Sequence, residues 1–140
     1  MDKLTPARRS WVMARIRGSD TGPELLVRSI VHRLGYRYRL HDRRLPGSPD
    51  LVFPARKRVI FVHGCFWHGH SCRRGCLPSS NRGFWEEKIR RNKQRDRRVG
   101  RLLKRDDWEV LTVWQCQMKN PSKLEKRLTS FLERDKLIDR

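Results

Sequence analysis

Apolar and polar positions change their period in blocks along this chain. Asp20-Thr21-Gly22-Pro23-Glu24 is a helix-start pattern: capping side chains, a first-turn proline and an early acid. Leu25, Leu26, Ile30, Val31 and Leu34 then recur on one side of a helix that stops at Gly35. Tyr36-Arg37-Tyr38-Arg39-Leu40 alternates as a half-exposed strand does. Leu45 to Pro49 reads as a turn, and Asp50-Leu51-Val52-Phe53 opens the next strand. After a basic turn from Pro54 to Arg58, the unbroken run Val59-Ile60-Phe61-Val62 has the look of a strand buried on both faces. An irregular stretch from His63 to about Gly83 precedes a long helix, Phe84 to Arg105, carrying Trp85, Ile89, Val99, Leu102 and Leu103. A strand from Trp108 to Trp114 and a helix from Ser122 to Arg134 close the chain. The order αβββαβα predicts one α/β domain with a mixed sheet and an added loop module.

Charge adds a partner to this picture. Of 140 residues, 34 are Lys or Arg and 15 are Asp or Glu, a formal net charge of +19. Such an excess speaks of polyanions, because Lys and Arg that neutralise phosphates release condensed counterions. Most of the positive charge is arginine, the better fork for phosphates and base edges. Residues 1–20, punctuated by Pro6 and Gly18, read as a basic arm, helical from Ala7 to Arg17, ahead of a single domain over 21–140. No apolar run approaches the length that spans a bilayer, so no membrane association is expected. The first residues lack the apolar core of a secretory signal, so a reducing, cytoplasmic setting is expected.

The irregular stretch holds the chemistry. Cys65, His68, His70 and Cys72 lie close together, and Cys76 and Cys116 complete the cysteines. Cys65, His70 and Cys72, closed by Cys116 at a strand end, can form the four-ligand tetrahedron of a structural zinc. Two disulfides are the competing arrangement, which a reducing compartment disfavours. Cys76 is a spare thiol that can replace Cys72 or stand free. With those ligands assigned, His63 and His68 remain as candidates for proton transfer. Asp50 heads one strand and His63 ends the next, so adjacent pairing brings them together. A carboxylate there can hold Mg²⁺ against a phosphodiester, although an aspartate after Ser48-Pro49 is also a common turn residue. Phe66 and Trp67 sit in this polar loop, either roofing the zinc site or serving as wedges between base pairs.

Assembled, the motifs resemble the very short patch repair (Vsr) endonucleases, a family that nicks DNA at T·G mismatches. The residues carrying the likeness are Asp20 to Leu26, LPGSPD over 45–50, and HGCFWHGHSC over 63–72. Phe84-Trp85-Glu86-Glu87-Lys88-Ile89, Asn92, Arg95-Asp96 and Trp114-Gln115-Cys116 continue it in order. The resemblance runs from about Arg9 to beyond Cys116. It implies a restriction-endonuclease-like fold of the PD-(D/E)xK superfamily, a mixed central sheet flanked by helices, with a structural zinc. By motif position the zinc ligands are Cys65, His70, Cys72 and Cys116. Asp50 and the main-chain carbonyl of Val62 are the implied Mg²⁺ ligands; a familiar member has Thr at the latter position. His68 is the implied water-activating base, His63 its support and Glu24 an accessory acid. Phe66, Trp67 and Trp85 match aromatics that intercalate from the major groove, and Met13 an apolar residue entering from the minor groove. Lys88 and Asn92 are implied readers of the mismatched pair. Trp11-Val12 replaces a polar pair expected before Met13.

The function expected is therefore a Mg²⁺-dependent, zinc-stabilised endonuclease that nicks one strand of duplex DNA at a T·G mismatch. The implied protein is a monomer of the bacterial cytoplasm and nucleoid, with mismatch-repair proteins as candidate partners. The alternatives are a non-catalytic zinc module binding nucleic acid through charge, and a restriction-type nuclease acting on intact duplex. Asp50 and two spare histidines speak against the first, and the wedge aromatics against the second.

Overall fold

The computed structural model describes residues 21–134. The expected arm over 1–20, with Met13, lies outside them. Helix α1 (Gly22–Arg33) starts where the capping pattern places it: the Thr21 hydroxyl accepts from the Glu24 amide at 3.4 Å. It ends at Leu34, followed by Gly35 at φ +91°, a conformation only glycine adopts freely. Strands β1 (Arg39–Leu40), β2 (Leu51–Phe53) and β3 (Arg58–His63) follow. Helix α2 (Arg82–Arg105), strand β4 (Glu109–Trp114) and helix α3 (Pro121–Glu133) complete the expected order.

The sheet is mixed, in the order β1-β2-β3-β4. β2 pairs antiparallel to β1 and to β3, whereas β4 runs parallel to β3 with Arg58 opposite Glu109 and His63 opposite Trp114. The parallel pair is joined by α2, the crossover such a pairing requires. Alternation within β2 and β3 sends side chains to two cores. Leu51, Phe53 and Ile60 join Val27, Ile30 and Val31 of α1 and Leu124, Leu128, Phe131 and Leu132 of α3. Val52, Val59 and Phe61 pack against Leu103 of α2. Helices thus cover both faces, and the continuous apolar run of β3 follows from that double burial.

One strand is shorter than expected. The alternation over Tyr36 to Leu40 yields pairing only at Arg39 and Leu40. The Tyr36 amide bonds back to Val31 O, its hydroxyl reaches Glu133, and Arg56 lies over its ring. The start of this segment therefore seals the helical side of the core instead of extending the ladder. Arg58, 2% exposed, has a related role: its guanidinium donates to the carbonyls of Leu132 (2.7 Å) and Arg134 at the C-terminus of α3. A cation there opposes the negative end of the helix dipole.

Leu128 is fully buried at the contact between α3 and the sheet. Leu128→Ala is expected to lower unfolding free energy by about 2–5 kcal/mol, read from urea denaturation at matched metal content.

Candidate functional site

Among the described residues, the segments that carry the candidate chemistry meet at one end of the sheet. β3 and β4 run parallel, so their C-terminal residues His63 and Trp114 lie side by side and release the loops bearing Cys65 and Cys116 together. β2 is antiparallel to β3, so Asp50, the residue just before it, arrives at that same end. The first turn of α1 brings Glu24 there. Ligand sites in sheets with parallel strands form at carboxyl ends for this reason.

Asp50 is held by the sheet itself. The Val62 amide donates to its Oδ2 at 2.7 Å. Burial, and then the adjoining Glu24 carboxylate, push its pKa up to about 7, against the Val62 amide, which favours the anion. Glu24 is 5% exposed and is bonded by Arg28 at 3.1 Å. His41 stands between the two acids, with Nε2 3.0 Å from Glu24 Oε2 and 3.7 Å from Asp50 Oδ1. Two carboxylates crowded in a partly buried pocket suit a cation, and Glu24, His41 and Asp50 offer donor atoms within 4.8 Å of one another.

The two histidines left over by the cysteine cluster form a stacked pair, ring centroids 3.7 Å apart and nearly parallel at 3°. His68 Nδ1 lies 2.7 Å from Asp96 Oδ2 on α2, which orients the ring and leaves Nε2 for other work. His63 is more enclosed; its Nδ1 is buried without a hydrogen-bond partner. Burial, and next the neighbouring His68, pull its pKa down to about 4, so it is neutral at physiological pH. Asp50, His63, His68 and Asp96 all line one open cleft, together with Phe66 and Trp67.

Behind the histidines, Cys65, His70, Cys72 and Cys116 place three sulfurs and a ring nitrogen within 4.8 Å of one another. The donor set fits a closed tetrahedral site. The Cys116 amide donates to Cys65 Sγ at 3.3 Å, and His70 Nδ1 lies 3.6 Å from Cys116 Sγ. Burial pushes the Cys65 thiol up to about 12, while hydrogen bonding with His70 lowers Cys72 to about 6. The four cysteines are unpaired, so the disulfide arrangement is not formed. Cys76 is exposed and outside the cluster. Gly75 closes the loop tightly: a Cβ there would stand 1.9 Å from the His70 carbonyl oxygen.

At the mouth of the cleft, Phe66, Trp67 and Trp85 meet edge to face with centroids 5.2–5.8 Å apart. They are half-exposed, and Phe84, 61% exposed, extends the cluster through Trp85. Lys88 Nζ sits over the rings of Trp67 and Phe84. Asn92 Nδ2 donates to the Trp67 carbonyl at 2.7 Å, tying the aromatic loop to α2. The acids at the start of α2 are occupied, Glu86 by Arg82 and Glu87 by Arg90 and Arg91.

The residues singled out from sequence within 21–134 are thus gathered in or beside one cleft. Asp96, His41 and Phe84 were not given roles. Asp96 had a signal, as the lone acid between Glu87 and Asp106 in a strongly basic helix. His41 had none, because only the β1–β2 register brings it to Asp50. No helix among the described residues is long and apolar enough to cross a membrane.

Comparison with known proteins identifies relatives of this chain. The family described as DNA mismatch endonuclease Vsr matches residues 1–74. Type II nicking enzyme V.XorIIP of Xanthomonas oryzae pv. oryzae is 49% identical over 132 residues, covering 94% of this chain and 97% of the relative. Type II nicking enzyme V.NmeAIP of Neisseria meningitidis is 43% identical, covering 94% of each. DNA mismatch endonuclease Vsr of Escherichia coli K12 is 41% identical, covering 91% of this chain and 82% of the relative.

Two measurements test the geometry. Nitrogen NMR is expected to show a neutral His63 ring at about pH 5.5, where an exposed imidazole is mostly protonated. Half-titration near the ordinary histidine value would contradict its burial. Gly75→Ala must displace the His70 carbonyl, so it is expected to lower both bound-metal stoichiometry and the thermal midpoint.

Proposed function

We propose that this chain, which belongs to the DNA mismatch endonuclease Vsr family, nicks one strand of duplex DNA at T·G mismatches. The observation that carries the proposal is the meeting of Asp50, His63 and His68 in one cleft beside an accessible aromatic cluster. On this reading the fold is restriction-endonuclease-like, of the PD-(D/E)xK superfamily, with residues 1–20 as a basic arm and 21–140 as one endonuclease domain. Zn²⁺ is the ion suited to Cys65, His70, Cys72 and Cys116, where it acts structurally. Asp50 and the Val62 carbonyl would hold Mg²⁺, with Glu24 as an accessory acid beside them. When bound, that ion supplies charge neutralisation of the scissile phosphate and acidification of water.

The chain's own groups do the rest. Water attacks phosphorus in line, its proton passes to His68 Nε2, and one P–O ester bond breaks as the leaving oxygen takes a proton from solvent, giving a phosphate and a hydroxyl end. Asp96 at Nδ1 fixes the His68 tautomer and steadies the positive ring that results. His63, neutral and stacked on His68, keeps the base in place and is a donor toward the phosphate network.

Recognition rests on deformability. A T·G wobble is weakly stacked, so wedging Phe66, Trp67 and Trp85 beside it is less unfavourable than at a Watson–Crick pair. Met13 enters from the minor-groove side, and Lys88 and Asn92 face the mismatched bases. The arm and α2 supply phosphate contacts that set register. We place the protein in the bacterial cytoplasm as a monomer, with mismatch-repair proteins as candidate partners.

A labelled T·G duplex with Mg²⁺ is expected to be nicked in one strand, while a T·A control stays intact. Equal cutting of both would instead mark a restriction-type nuclease, and binding without cutting a non-catalytic module. Asp50→Asn should bind DNA and lose at least about a thousandfold in nicking rate. Asp96→Asn should slow nicking about 10–100-fold with little change in DNA affinity, because it acts through His68.

A further inference from the structure

His41 has no part in the scheme above, yet among the described residues it is the imidazole that meets both Glu24 and Asp50. It follows β1 directly, and its backbone is held at φ +47°, a region that residues bearing a Cβ adopt rarely. Its amide donates to the Asp50 carbonyl at 3.2 Å, extending the β1–β2 ladder by one bond. That bond ties the imidazole to the residue carrying the central carboxylate. Asp50 Oδ2 is taken by the Val62 amide, and Oδ1 is the oxygen that faces His41. Glu24 Oε2, bonded also by Arg28 from the next turn of α1, lies on the same nitrogen.

Hydrogen-bond and ion-pair contacts of these lengths also fit around one cation. Ligands at adjacent corners of an octahedron, with metal bonds of about 2.1 Å, stand about 3 Å apart. The separations here are 3.0 and 3.7 Å, and the three donor atoms all lie within 4.8 Å of one another. They come from three different segments, so their convergence is a product of the fold rather than of a local turn. Magnesium prefers oxygen ligands and keeps several waters, whereas an imidazole nitrogen draws transition ions.

We propose that Glu24 Oε2, His41 Nε2 and Asp50 Oδ1 form one mixed oxygen–nitrogen site. In it His41 gives this chain a preference for divalent transition ions, for which Mn²⁺ is the probe, over Mg²⁺. The inference rests on the assignment of Asp50 as the metal-site carboxylate under the proposed function; it moves Glu24 from accessory acid to the metal itself and adds the imidazole that sets metal choice. The imidazole binds through its unprotonated Nε2, with the ring proton on Nδ1.

The test uses the zinc-loaded full-length protein titrated with Mn²⁺, free ion being read by electron paramagnetic resonance and then displaced with Mg²⁺. Pulsed measurements on the bound ion report directly ligated nitrogen. Wild-type protein is expected to show one nitrogen on Mn²⁺. That signature should vanish in His41→Gln and persist in His63→Gln and His68→Gln, which exclude the other histidine cluster of the cleft. Mn²⁺ affinity should fall about tenfold in His41→Gln with Mg²⁺ affinity nearly unchanged, because glutamine offers an oxygen in place of nitrogen. Absence of ligated nitrogen in the wild type, or equal Mn²⁺ affinity in His41→Gln, overturns the proposal. The two readings fail separately. Specific T·G nicking in Mg²⁺ without nitrogen ligation sinks only the role of His41. Nitrogen ligation with no nicking in either ion sinks only the nuclease.

Discussion

Strand β3 is hydrogen-bonded along both edges, antiparallel to β2 and parallel to β4, and the candidate site depends on that double pairing. The antiparallel edge turns β2 so that Asp50 begins where β3 ends, and the Val62 amide then reaches its carboxylate at 2.7 Å. The parallel edge sets His63 beside Trp114 and lets the two loops after them share a cysteine cluster. A one-residue slip on either edge would turn alternate side chains to the opposite face and scatter these groups. The two cores guard against such a slip, since Val59 and Phe61 face α2 while Ile60 faces α1 and α3.

Trp114 joins the two chemical centres. His70 of the cysteine cluster stacks on its ring at 4.1 Å, and its edge meets His63 at 5.4 Å and His68 at 6.4 Å. Aromatic contacts of this kind contribute about 0.5–1.5 kcal/mol each beyond buried area. The cysteine cluster therefore braces the loop that carries the stacked histidines, although none of its ligands faces the cleft. Gln117 completes the brace by accepting from the Trp114 amide at 3.0 Å and from Arg127 at 2.7 Å.

Charge is distributed to the same end. The acids on the exposed side of α2 are paired with arginines, and Glu24 is enclosed, so little negative charge opposes an approaching polyanion. Inside the cleft the balance is reversed. Asp50 and Glu24 crowd together where solvent is reduced, and the positive exterior surrounds a small electronegative pocket suited to a cation.

Much of this was legible in the chain. The capping pattern before Glu24, the apolar run of β3 and the crossover helix α2 announced a helix-covered mixed sheet, because helical and strand periodicities are local properties of sequence. The cysteine and histidine spacing announced a four-ligand cluster, since ligand chemistry depends first on residue type. The alternation over Tyr36 to Leu40 promised more strand than pairs, as Tyr36 bonds to both α1 and α3 and lies under Arg56 of the loop after β2. Asp96 stood out as the lone acid of a basic helix, but its place behind His68, like that of His41 between Glu24 and Asp50, belongs to the tertiary structure. Each lies far along the chain from the group it touches, and only strand register and the packing of α2 bring them within hydrogen-bond reach.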